Sequence, residues 1–76
     1  MRELVEFICK SLVEHPDQVR VTDVEGEASV IVEIRVASDD TGRVIGRQGR
    51  IIAAIRTLAR TAAMRQGKRV VVEVVE

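Results

Sequence analysis

The sequence predicts an α+β domain in which three strands are covered by helices. Three observations carry that prediction. Apolar residues recur at helical spacing near the start and again between residues 50 and 66. Residues 28 to 37 alternate apolar with polar. A valine-rich segment, residues 70 to 75, closes the chain. The predicted order is helix, strand, strand, short helix, glycine loop, helix, strand.

The first helix is expected over residues 3 to 14. Leu4, Ile8 and Leu12 form a stripe at helical spacing, with Glu3, Glu6, Lys10 and Glu14 on the other side. Phe7 flanks the stripe on one edge, and Val5, Cys9 and Val13 widen it on the other. That arc is broader than one sheet face requires, which suits a deeper core or a dimer surface. His15-Pro16-Asp17 ends the helix, because proline disfavours helical geometry in the residue before it. Residues 18 to 25 form a strand, with Val19 and Val21 alternating against Arg20 and Thr22. Glu25-Gly26-Glu27 turns the chain into the strand of residues 28 to 37, whose inner face is Ala28, Val30, Val32, Ile34 and Val36. Ser38-Asp39-Asp40-Thr41-Gly42 is rich in helix-capping residues and precedes a very short helix over 43 to 45. After Gly46-Arg47-Gln48-Gly49 a long helix runs to about Gln66, with Ile51, Ile55, Leu58 and Ala62 toward the core and Gly67 as its stop. The three-valine start of the last strand predicts burial on both faces for part of its length.

Composition narrows the function classes. The chain has 76 residues, 46% apolar and 32% charged, which is the balance of one small globular domain. A single cysteine, Cys9, excludes an internal disulfide, and with His15 as the lone histidine no four-ligand zinc site can form from cysteine and histidine. Glu3 and Glu6 stand where a signal peptide needs an apolar core, and the longest apolar run is Ile51 to Ile55; both predict a soluble cytoplasmic protein with no membrane span. Phe7 is the only aromatic residue, so bases cannot be stacked on a platform of rings.

The net charge of zero conceals a separation. Residues 41 to 72 contain no acid, and within them lie Arg43, Arg47, Arg50, Arg56, Arg60, Arg65, Lys68 and Arg69. The twelve acidic residues all lie outside that stretch. Such a split suits one face to an anion.

Gly46 and Gly49 sit between two helical segments. Glycine permits positive φ and leaves no Cβ between main chain and ligand, and the N–H groups opening the next helix make an anion site. A bare G-x-x-G also serves as an ordinary corner between helices. Here Arg47 and Arg50 lie in or beside it, Arg43 and Arg56 are close enough to extend it, and Val44-Ile45 and Ile51-Ile52 supply apolar flanks. This is chemistry for a phosphodiester backbone.

The stretch from Thr41 to Ile52 closely resembles the I-G-x-x-G-x-x-I signature of KH domains, whose loop clamps about four nucleotides. The whole chain, with its E-L-V-E-F-I opening and valine-rich end, resembles the bacterial KhpA (YlqC-like) family of free-standing RNA-binding proteins. The resemblance implies a type II KH domain over residues 1–76, ordered α-β-β-α-α-β, with a three-stranded mixed sheet and helices on one face. It implies Gly46, Arg47, Gln48 and Gly49 as the backbone clamp, with Ile45 and Ile52 as walls of a base groove. Arg43, Arg50 and Arg56 join them as expected contacts. The implied partners are single-stranded RNA, a second copy, or a larger KH-containing protein of the Jag/KhpB type. The implied role is an RNA chaperone or post-transcriptional regulator with no cofactor and no metal.

An enzyme is not expected. No Lys-Ser or Lys-Thr follows the glycines, as a P-loop needs, and Ser11, Ser29 and Ser38 have no evident base. Cys9 reads as a buried structural thiol and His15 as a helix-end residue. Asp39 and Asp40 read as caps of the next helix rather than magnesium ligands. The alternative to RNA binding is a KH-fold dimerisation or interaction module in a ribonucleoprotein with little RNA affinity of its own.

Overall fold

The computed structural model describes residues 1–75 and carries the elements in the expected order. Helix α1 (Arg2–Leu12) leads to strands β1 (Arg20–Glu25) and β2 (Ser29–Arg35). Helix α2 (Thr41–Ile45), helix α3 (Arg50–Met64) and strand β3 (Arg69–Val74) follow. Short 3₁₀ turns over Pro16–Gln18, Ser38–Asp40 and Arg47–Gly49 fill the connections. The sheet is mixed, in the order β1-β2-β3. β1 and β2 form an antiparallel hairpin with Val21 opposite Ile34, and β3 lies parallel to β2 with Val72 beside Val32. A parallel pair needs a long crossover, which α2, the loop and α3 supply.

Only one face of the sheet is covered. Val21, Val30, Val32, Ile34 and Val72 point into the core, where Val5 and Cys9 of α1, Val44 of α2 and Ile52, Ile55 and Ala59 of α3 meet them. Each fully buried valine or isoleucine contributes about 1.5–3 kcal/mol relative to exposure. On the other face Val24, Ile31 and Val71 form an exposed apolar row across all three strands. The predicted alternation holds over Ser29–Arg35 but not to the ends of 28 to 37, since Ala28 is exposed and Ala37, past the end of the strand, is buried. Burial of the last strand on both faces is not found, because Val71 is 48% exposed beside a buried Val72. The valines of β3 reflect strand propensity at a sheet edge, not a second layer.

Both long helices are rotated from their expected phase. α1 buries Val5 and Cys9, while Leu4, Phe7 and Leu12 lie at the rim, with Phe7 70% exposed. α3 buries Ile52, Ile55, Ala59 and Ala63, leaving Ile51 and Ala62 half-buried and Leu58 exposed. The two phases of α3 share Ile55. Small residues at 59 and 63 let the helix approach the sheet closely, and the larger Leu58 moves to the edge. Burial raises the Cys9 thiol to a pKa of about 11, so the structural reading of this residue stands.

α1 ends at Leu12, two residues early, and Asp40 is the reason. This carboxylate is fully buried and caps no helix, contrary to expectation. Its Oδ1 and Oδ2 accept the N–H groups of Glu14 and His15, each at 3.0 Å. Those donors can no longer extend the helix, and Val13 turns extended. Asp39 does not cap either; its Oδ2 lies 3.2 Å from His15 Nε2.

Candidate nucleic-acid interface

α2 is five residues long because Gly46 leaves helical space, at φ 76 and ψ 170. Its N–H still donates to Gly42, at 2.9 Å. Gln48 then adopts φ 56, rare for a residue with a side chain, and Gly49 follows at φ 71. A left-handed non-glycine residue costs of order 1 kcal/mol or more. At Gly46 a Cβ would sit 2.6 Å from Ile51 Cγ1, so the glycine is required by both angle and space.

The loop's internal hydrogen bonds leave a remainder. Gly49 N–H donates to Gly46 at 3.1 Å, and Arg50 N–H to Arg47. Among the described residues, the N–H groups of Arg47 and Gln48 find no backbone acceptor. These two donors precede the N-terminus of a 15-residue helix, whose dipole favours an anion. Arg47, Gln48 and Arg50 line a cleft of about 480 Å³, and Arg50 Nη2 donates to Gln48 Oε1 at 3.1 Å.

Beside the loop lies a larger groove of about 710 Å³, lined by Thr41, Ile45, Arg56, Glu73, Val74 and Val75. Its far wall is the end of β3, one of the sheet's two edge strands. Arg69 and Val75 spend their N–H groups on β2-side carbonyls, of Ala28 and Ile34. By alternation Val70, Val72 and Val74 turn their backbone groups outward to that edge.

Of the sequence-predicted site residues, Arg47, Gln48 and Arg50 line one cleft, the half-buried Gly46 and Gly49 shape the loop that carries it, and Ile45 lines the adjoining groove. Ile52, expected as the other wall, does not line the groove; it faces the sheet and is buried in the core. Arg56 lines the groove, but its Nε and Nη2 both donate to Val72 O, at 3.3 and 3.2 Å. Arg43 points to the end of α1. It donates to Asp39 O at 3.1 Å, Asp40 Oδ1 at 3.2 Å and Glu14 Oε1 at 2.9 Å. Thr41, Glu73, Val74 and Val75 were not foreseen. Their place depends on β3 lying parallel to β2 at the edge, which no local pattern encodes.

Glu14, His15 and Asp39 bring carboxylate and imidazole atoms within 4.8 Å of one another. Their bonds are already committed, Glu14 to Arg43 and Asp39 to His15, so the cluster is an ion-pair network. The hydrogen bond and charge of Asp39 raise the pKa of His15. For Asp40, burial pushes the pKa up, yet the N–H groups of Glu14 and His15, with the charges of His15 and Arg43, hold it below the usual value. No helix among the described residues is long and apolar enough to cross a membrane.

Residues 2–74 match the family profile described as KhpA/KhpB, KH domain. The protein named RNA-binding protein KhpA from Clostridium acetobutylicum is 55% identical over 75 residues, covering 99% of this chain and all of the relative. The protein of the same name from Clostridium perfringens is 53% identical over the same shares. That from Aquifex aeolicus is 46% identical over 76 residues, covering all of this chain and 96% of the relative. No solved structure matches the chain.

Proposed function

This chain belongs to the KhpA/KhpB family of KH domains, and we propose on that premise that it binds single-stranded RNA through the Gly46–Gly49 loop. The observation that carries the reading is the pair of unspent N–H donors at Arg47 and Gln48, set between two arginines and the start of α3. Those donors and the guanidinium groups of Arg47 and Arg50 hold phosphates, which supplies affinity. Bases lie in the groove against Ile45 and Val74 and meet the outward backbone groups of β3 on their edges. Arg43 and Arg56 position the walls: one ties α2 to α1, the other fixes the β3 edge. The reading assigns no catalysis to the chain and extends to a role as an RNA chaperone or post-transcriptional regulator in the cytoplasm. Pairing with a second copy or with a larger KH-containing protein would raise the avidity of so short a contact. The exposed Phe7 and Leu4 of α1 support such pairing.

Titration of a fluorescent, unstructured RNA at two salt concentrations tests the proposal. Arg47→Asp combined with Gln48→Asp should abolish binding while circular dichroism stays unchanged. Equal binding by the folded variant would contradict the clamp, and absence of binding by both proteins would leave the interaction module as the better reading.

A further inference from the structure

The acid-free stretch supplies eight cations, and the loop accounts for only Arg47 and Arg50. Arg43 is committed to Glu14 and Asp40, and Arg56 to Val72. The remaining four, Arg60, Arg65, Lys68 and Arg69, lie at the opposite end of α3 and the start of β3. Three of them line a separate cavity of about 450 Å³ together with Met64, Val70 and Val71.

This cavity lies on the same edge strand as the base groove. Arg56, Arg60 and Met64 recur every four residues, so they form one row along α3. The row runs beside β3, since Arg56 reaches Val72 while Arg60 and Met64 line one cavity with Val70 and Val71. The hydrogen bond from Arg56 to Val72 stands between the two cavities, which are separated by about 13 Å from Val70 to Val74 at strand spacing. Val70 turns its N–H and C=O into the second cavity by the same alternation that exposes Val74 in the first. Met64 is 72% and Val71 48% exposed, so an apolar platform stands between cations. Lys68 is paired with Glu25 at 3.0 Å, but among the described residues Arg60 and Arg69 form no ion pair.

We propose that the cavity of Arg60, Met64 and Arg69 is a second contact for single-stranded RNA, taking the part of the strand that runs past the nucleotides held at the loop. The proposal rests on the RNA reading above. Arg60 and Arg69 contact phosphates, and Met64 with Val71 supports a base. Continuity along one strand edge favours the same nucleic-acid strand over an acidic peptide, which would have no reason to follow the base groove.

The test compares unstructured RNAs of four and ten nucleotides, each titrated across a salt series. The proteins are wild type, Arg60→Gln with Arg69→Gln, and Arg60→Lys with Arg69→Lys. Longer strands offer more binding registers and tighten binding to all three proteins alike; the salt slope is free of that effect. For wild type the slope should steepen by about 1.4 from the short to the long strand, the value for two added phosphates. The glutamine variant should keep wild-type affinity for the short strand and lose the steepening, and the lysine variant should retain it. Identical slopes for wild type and the glutamine variant on the long strand would overturn the second contact and point to an acidic protein as the patch's partner. Failure of wild type to bind either RNA would overturn the loop reading itself, a distinct result from loss confined to the long strand.

Discussion

Arginines four residues apart in this chain are used in opposite ways. Arg43, at the junction of α1 and α2, donates to Asp39, Asp40 and Glu14, and the buried Asp40 beside it accepts two backbone N–H groups as well. Arg47, in the loop, forms no ion pair among the described residues, and its own N–H and that of Gln48 are unspent. Where polar groups are fully satisfied they hold the fold, and where they are left open they are available to a ligand. The comparison also shows how the two corners depend on each other. The junction fixes the start of α2, and α2 delivers the loop.

Asp40→Ala attacks the satisfied corner and should have the largest effect. It leaves the N–H groups of Glu14 and His15 and the Arg43 guanidinium without their shared acceptor. The loss should be about 4 kcal/mol, a fall of roughly 20 °C in thermal midpoint measured by circular dichroism. Next come the loop glycines. Gly46→Ala brings a Cβ against Ile51 at positive φ and should cost roughly 3 kcal/mol in urea unfolding. Gly49→Ala meets nothing closer than 3.9 Å and should cost only about 1 kcal/mol for its angle. Equal costs would contradict the close approach at Gly46.

The smallest effect concerns His15. Its pKa is raised in the fold, so its contribution is fully present below the unfolded value of 6.5 and is lost as pH rises through the folded value. Wild type should lose about 1–2 °C in thermal midpoint across that range, and His15→Gln should remove the dependence. The effect is small because the pair with Asp39 is solvent-exposed.

Much of this arrangement is legible in the residues. The alternation of Val30, Val32 and Ile34 marks the central strand without ambiguity, since one face must be buried. The two glycines with their arginines and the acid-free stretch locate the loop surface. The helix phases are less legible, because α1 and α3 carry apolar arcs wide enough for two orientations. Close packing at Cys9, Ala59 and Ala63 selects between them. Asp40 reads as a cap because the bonds that bury it come from residues 25 and 26 positions away. Arg56 reads as a free cation because its acceptor is a carbonyl on a strand edge, sixteen residues on.

The most direct test sets Arg43→Gln against Arg47→Gln, with thermal midpoint and the salt slope of RNA binding measured for each. Arg47→Gln should leave stability within about 0.5 kcal/mol and reduce the slope by about 0.7, the loss of one phosphate contact on a single strand. Arg43→Gln should lower the midpoint and leave the slope unchanged. A slope reduced equally by both variants would contradict the division between an arginine spent on the fold and one left for the ligand.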